Sequence, residues 1–451
     1  MTYQNETMGN MRGSLPALRR TRKGILLLAS ALCLAASAQT NGSNSPYSRY
    51  GFGLLSDRAQ GFNKGMSALS YGMRGGTELN VKNPASYSAI DSLSFIFDIG
   101  ISLQNGNLEQ SGKKVNAHNT SFDYLSMGFR ASKNIGISLG LVPFSTIGYD
   151  ISQEDLIKSP NMPDITHTSA HSGDGGVHEA YLGIGWKAMK GFSVGLNAGY
   201  MWGDMTHTVL SSYSDGATSS SRRQYASDFR SYKLDFGLQY EQKINKDNNL
   251  TLGLVYGLGH DVRSKSEYYN QLITPGNKTE GDTTTLRDAF QLPHTIGIGL
   301  TWTHKNRLRI GADYTLQKWG KVKFPFLNEE TNEYVACKGL YKDMHKVTFG
   351  GEYIPNPDGI HRRDRIRYRA SFSLSTPYTK VNGLDGPKDY LVSLGVGLPI
   401  INTHNNRSVL NISAQYENVK PKFAGMIKEQ YLRLCIGLTF NERWFMKWKV
   451  D

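Results

Sequence analysis

Fourteen stretches of two-residue hydrophobic alternation, separated by gaps that are alternately long and short, constrain this chain more than any other feature. In residues 92–104, Leu93, Phe95, Phe97, Ile99, Ile101 and Leu103 fall on one face, and Ser94, Asp98, Gly100, Ser102 and Gln104 on the other. A period of two is the mark of a strand with one apolar and one polar face. Each stretch is about the 9–11 residues that a tilted strand needs to cross a bilayer. Connections after odd-numbered stretches are long and those after even-numbered ones are mostly tight turns. A closed transmembrane barrel has this asymmetry.

The pattern predicts an all-β transmembrane antiparallel β-barrel of about 14 strands, with an N-terminal lumen plug. The strands fall at 92–104, 121–132, 134–146, 178–188, 191–203, 229–243, 249–261, 291–303, 306–317, 344–355, 365–377, 389–400, 407–417 and 430–440. An even count returns both barrel ends to the periplasm. The extracellular loops are then 105–120, 147–177, 204–228, 262–290, 318–343, 378–388 and 418–429. A soluble β-sandwich is the competing reading of strand repeats, but it would not alternate long and short connections.

The N-terminus reads as an address. Arg19, Arg20, Arg22 and Lys23 precede an apolar run from Gly24 to Ala35, and Ala36-Ser37-Ala38 supplies small residues, the layout of a secretory signal peptide at 1–38. Leu32 before Cys33 is too bulky for a lipoprotein cleavage site. Export without that leader lowers the formal net charge from +13 to +9. The remaining chain has no apolar run long enough for a spanning helix. Its negative mean hydropathy fits a barrel whose every second residue faces a polar lumen. Outer membrane localisation follows. The domains are the signal peptide, a hatch or plug at 39–91, the barrel at 92–440 and a periplasmic tail at 441–451.

Residues 39–91 do not alternate, and their aromatics and glycines favour a compact plug over a solvated tail. Strand parity points Asp98, Arg130, Glu179, Asp235, Asp313, Arg367, Arg369 and Arg433 into the lumen, with Lys187, Lys233, Arg309, Lys346, Glu241 and Glu352. Opposite charges in one lumen pair with each other and with the plug rather than stand desolvated alone. Arg365, Arg367 and Arg369 are the candidate anion-attracting stripe. Pro143 interrupts the third strand and marks either a candidate wall gap, because proline removes a ladder hydrogen bond, or a simple strand end near the extracellular rim.

No catalytic constellation, phosphate loop or nucleophile elbow is present, so the chain reads as a non-enzyme without cofactor or metal. His167 and His171 lie four apart beside Asp164 and Asp174, in a stretch where helical geometry cannot be assumed. The positive residues are scattered and no recognition motif accompanies them, so nucleic acid is not the expected partner. Outer membrane lipid and lipopolysaccharide are. Cys337 in a loop and Cys435 in the last strand read as unpaired thiols. Asp91-Ser92-Leu93 and Asp282-Thr283-Thr284 match a short O-glycan acceptor pattern.

Several motifs resemble FadL-type (fatty-acid transporter-like) outer membrane barrels of the Bacteroidetes-type branch. They are Ser45-Pro46-Tyr47-Ser48-Arg49-Tyr50-Gly51-Phe52-Gly53, Asn83-Pro84-Ala85, Val142-Pro143-Phe144, Gly173-Asp174-Gly175-Gly176, Leu292-Pro293, Asp313-Tyr314 with Trp319, and Asn441-Glu442-Arg443-Trp444-Phe445. The resemblance implies a fourteen-stranded barrel plugged by a hatch, here 39–91 with Tyr47, Arg49, Tyr50, Gly51, Asn83, Pro84 and Ala85. It also implies hydrophobic solutes leaving sideways at a distorted third strand, here at Pro143. The chain departs from lipid importers in its loops. Those at 147–177 and 204–228 are mostly polar, and Val322, Phe324, Pro325, Phe326 and Leu327 are the apolar patch. Two functions are expected: passive uptake of small hydrophobic solutes through a hatch-gated lumen, or service as an accessory barrel in an outer-membrane secretion or protein-assembly complex.

Overall fold

The structure is a computed structural model and describes residues 43–159, 162–274, 278–328, 330–381, 383–400 and 408–443. Within these, fourteen strands form the wall: β1 Ser94–Gln110, β2 Lys113–Ser132, β3 Ile135–Ser159, β4 Met162–Met189, β5 Phe192–Tyr213, β6 Ser220–Lys243, β7 Asn248–Gly257, β8 Thr295–His304, β9 Leu308–Gln317, β10 Met344–Tyr353, β11 Arg367–Ser375, β12 Lys388–Ile400, β13 Ser408–Lys420 and β14 Lys428–Arg443. Each pairs antiparallel with the next, and β14 returns to β1 from Ser94↔Arg443 to Glu109↔Lys428. Closure removes the free edges that a sheet in lipid cannot leave unpaired.

The period of two decides which face each residue takes. In β4, Leu182, Ile184 and Trp186 are exposed to the lipid side, whereas Tyr181, Gly183 and Gly185 alternate with them and are buried. Phe236 and Leu238 in β6, Ile298 and Leu300 in β8, and Leu432 and Leu434 in β14 follow the same rule.

The long connections differ from the expectation. Most of 105–120, 147–177 and 204–228 is not loop but continued strand: β1 and β2 pair out to Gln110↔Lys113, β3 and β4 to Ser159↔Met162, and β5 and β6 to Ser211↔Ser221. Backbone pairing needs no apolar face, and Ser and Thr suit strands whose two faces both meet water. In 262–290, a hairpin of Asp261–Thr274 with Lys278–Arg287 adds to the outer half of β6. Residues 441–443, expected in the tail, complete β14. The signal peptide and residues 444–451 lie outside the described residues.

Residues 43–91 hold little regular structure: 3-10 turns at Pro46–Arg49 and Pro84–Ala89, one helical turn at Gly61–Lys64, and the two-residue strand Leu54–Leu55. The segment is nonetheless largely buried. Phe62, Met66, Leu69 and Met73 form one apolar cluster, and Leu79, Tyr87 and Ile90 pack on Ile96 of β1. Its polar groups bond inward-facing side chains from strands all around the ring.

Candidate functional site

Among the described residues, the wall ladder breaks off between β2 and β3. The β2–β3 ladder runs from Ser132↔Ile135 to Leu125↔Leu141 and stops. Beyond that height β2 pairs only with β1, and β3 keeps β4 on its other side. Two bulges flank the seam. Asp123 is the extra residue between Tyr124↔Gly100 and Phe122↔Ile101, and Phe144 the extra residue between Pro143↔His178 and Ser145↔Val177. A bulge bends its strand and increases its twist. Pro143, beside the second bulge, has no N–H to donate.

Unpaired strand edges at bilayer depth are costly, and the N-terminal segment supplies the missing partner. Leu54↔Thr146 and Leu55↔Ser145 are antiparallel ladder pairs. Ser56 N donates to Phe144 O at 2.9 Å. Ser43 Oγ donates to Gly148 O at 3.0 Å, and Gly148 N donates to Ser48 Oγ at 3.2 Å. Phe144, Thr146 and Gly148, alternate residues along one edge, are thus all held by the segment. Across the seam, Asn44 Nδ2 donates to Asn119 Oδ1 of β2 at 2.7 Å. A cavity of about 300 Å³ lies behind the seam, lined by Phe122, Pro143, Leu54, Leu55, Asp57 and Lys346 among others. A second of about 200 Å³ lies beyond it, and Leu55, Ser56 and Asp57 line both.

Buried ion pairs fix the rest of the segment. Arg58 sits 2.8 Å from Asp235 and 3.0 Å from Glu179. Glu78 receives Arg309 at 2.5 Å and Arg367 at 3.3 Å. On the wall side Glu352 receives Arg309 at 2.5 Å and Arg369 at 2.7 Å. Asp313 Oδ2 accepts the backbone N–H groups of Ser70 at 2.6 Å and Tyr71 at 3.0 Å. Removing one member of such a buried pair strands the other charge.

A surface cluster provides the contrast. Asp385, in the loop before β12, bonds Lys422 and Lys342, which hold its carboxylate down at about 2. Its folded pKa lies below the unfolded value, so its contribution is complete above about pH 4 and fades as pH falls through that folded value. Both lysines are half-exposed. Asp385→Asn should therefore change stability by less than about 1 kcal/mol, which thermal melts at pH 7 will check.

Above the ion pairs the interior turns apolar. Phe52 is buried among Phe144, Phe229, Phe290, Trp319 and Phe324, with ring centroids 5.5 to 6.0 Å away. Ile147, Val177, Met201, Met205 and Val322 extend this cluster. Polar ribbons therefore hide an apolar base. Of the 322–327 patch, Val322 and Phe324 join it, whereas Leu327 packs with Tyr268 and Tyr334 and Phe326 is exposed.

The expected lumen residues divide clearly. Glu179, Asp235, Asp313, Arg367 and Arg369 all meet the N-terminal segment or its ion-pair web. Asp98 is buried and accepts from Tyr124 at 3.0 Å and Thr439 at 3.1 Å. Arg433 pairs with Glu417 in the wall. Arg130 is a correction: it lies at the periplasmic rim and bonds the turn carbonyls of Ser132 and Lys133. Lys187 is likewise exposed, at a bulge. The arginine stripe is not a free anion surface, because Arg365 bonds Gly359 O while Arg367 and Arg369 face Glu78 and Glu352. His167 and His171 lie on the β4 ribbon and bond Ser211 and Ser169. Both Cys337 and Cys435 are free thiols.

In the N-terminal segment, Tyr47 OH donates to Ile427 O at 2.6 Å, and Tyr378 OH donates to Tyr50 O and Gly53 O. A Cβ on Gly51 would touch that Tyr378 ring. Asn83 caps the turn that begins with Pro84 and contains buried Ala85, and Asn83 also donates to Tyr71 O at 2.8 Å. Arg49 is exposed. Sequence reasoning passed over Arg58, Glu78 and Leu54-Leu55, and met Phe52 only as a member of the Ser45–Gly53 motif. For Arg58 and Glu78 the available signal was charge inside a glycine-rich stretch that does not alternate.

Solved structures share this architecture. The CymD monoaromatic hydrocarbon channel matches with TM-score 0.55 and 14% identity, over 86% of this chain and 98% of that one. The toluene transporter TbuX of Ralstonia pickettii gives 0.57 and 12%, over 86% and 98%. The toluene transporter TodX of P. putida gives 0.57 and 15%, over 85% and 98%. A Pseudomonas aeruginosa FadL homologue matches as well, so the fold is that of the FadL-type outer membrane barrels. No curated protein sequence matches. The BamG family model matches residues 21–451, almost the whole chain, and the chain belongs to the BamG family.

Proposed function

We propose that this outer membrane barrel passes small hydrophobic solutes passively, with residues 39–91 acting as a hatch and the β2–β3 seam as the lateral exit. What supports the reading is that the β2–β3 ladder stops at Leu125↔Leu141, just before Pro143, and that Leu54 and Leu55 of the N-terminal segment pair with Thr146 and Ser145 beyond it. The shared fold of hydrocarbon channels supports the reading. Liposome swelling tests it. A Leu54→Cys, Thr146→Cys pair places two thiols at one ladder position, in a Cys337→Ser, Cys435→Ser background. Oxidation should cut toluene entry to the rate of empty vesicles, and reduction should restore it. Entry unchanged by oxidation rejects the seam as the route.

Accessory service in an outer-membrane secretion or protein-assembly complex is the alternative reading, and it has less behind it than passive uptake. The chain belongs to BamG, whereas its likeness to the channels is one of fold. Purification in mild detergent separates the two. A stoichiometric protein companion that survives washing favours the complex, and a lone barrel favours the channel.

A further inference from the structure

We propose that the cage around Phe52 is a binding site for one aromatic ring, which the chain's own phenyl group fills while the hatch is closed. The proposal rests on the channel reading and names its ligand class. Phe52 stands on a tight knuckle: Gly51 and Gly53 flank it with φ of +63° and +82°, a conformation that favours glycine. The knuckle drives a single ring into a pocket bounded by other rings. Phe290 and Phe229 meet it tilted, and Phe144 and Phe324 meet it edge-on. Tilted and edge-to-face contacts match the negative face of one ring to the positive rim of the next. The five rings that face Phe52 carry no charge, so a carboxylate among them would gain no ionic partner from the cage.

The position of the cage supplies the coupling. Phe144 is the bulged residue of β3 at the seam, and Leu54-Leu55 follow Phe52 by two residues. Peeling Leu54-Leu55 from β3 and withdrawing Phe52 are therefore one movement. That movement vacates a ring-shaped space beside the second cavity, which Phe144 and Trp319 also line. Phe52 is an internal competitor, and ligand affinity is lowered by the fraction of time it occupies the cage.

Binding of fluorobenzene to the full chain in detergent, followed by ¹⁹F NMR, tests this. Phe52→Ala should bind about tenfold more tightly than the unsubstituted protein. Phe52→Leu, which keeps the site filled but without a ring, should fall between them. Phe62→Ala, which opens space in a different buried cluster, should gain nothing. With the Leu54→Cys, Thr146→Cys pair oxidised, the protein retaining Phe52 should lose binding while its Phe52→Ala counterpart keeps it. Equal gains in Phe52→Ala and Phe62→Ala, or binding indifferent to the crosslink when Phe52 is present, overturn the proposal. If binding follows the expected pattern while liposomes admit no toluene, the ring site stands and the channel reading falls.

Discussion

Glu78→Gln should loosen the N-terminal segment, the proposed hatch, from the wall by about 3–5 kcal/mol, the usual consequence of removing one partner from a buried ion pair. Glu78 is the hatch's only carboxylate among the described residues that meets the Arg309–Arg367 pair, and it is almost wholly buried there. Once it is neutral, Arg309 and Arg367 share only Glu352, which Arg369 also claims. The wall ladder contains none of Glu78's bonds, so the barrel itself should persist. Two measurements separate hatch release from unfolding. Trypsin should cut at Arg58, Lys64 or Arg74, which are protected in the unsubstituted protein, while the barrel band on unheated gels is unchanged. Conductance in planar bilayers should rise. If Glu78→Gln leaves proteolysis and conductance as they were, the ion pairs are not what holds the hatch.

Much of this architecture was legible because one physical rule repeats along the wall. A strand between lipid and lumen must alternate, so Leu182, Ile184 and Trp186 announced both their strand and their face. Parity also placed Glu179, Asp235, Asp313 and Arg369 inward before any geometry was known. Two kinds of feature escaped. The ribbons beyond the membrane lack an apolar face, so Thr168↔Ser212 and Ile151↔His171 pair without an alternation to reveal them. The N-terminal segment has no period at all, because many of its bonds are made to wall residues more than a hundred positions away. Arg58 with Asp235 and Glu78 with Arg309 are examples. Arg130 shows the remaining limit: parity gives direction but not depth, and at the rim an inward side chain meets turn carbonyls instead of a lumen. Pro143 was readable as a defect, yet only the register shows that Leu54-Leu55 repairs it.

Gly253→Val should expel the hatch by sterics alone, independently of any charge. A side chain at this inward position of β7 would begin 1.8 Å from the carbonyl oxygen of Tyr71, which is backbone and cannot rotate away. That oxygen is already fixed, accepting from Asn83 Nδ2 at 2.8 Å and Gln239 Nε2 at 3.0 Å. Moving Tyr71 also pulls the Ser70 and Tyr71 N–H groups from Asp313 and leaves a buried carboxylate short of donors. Overpacking typically costs about 1–3 kcal/mol, and an unsatisfied buried group a further 1–3 or so. The sum rivals the loss of Glu78, so trypsin sensitivity and conductance should change in the same direction in both variants. Leu252→Val, one residue away on the lipid face, removes one methylene against solvent lipid and should alter neither readout. Protection retained in Gly253→Val would mean that the hatch does not seat against β7. Wall glycines would then reflect strand packing alone rather than a lumen surface shaped to the segment it encloses.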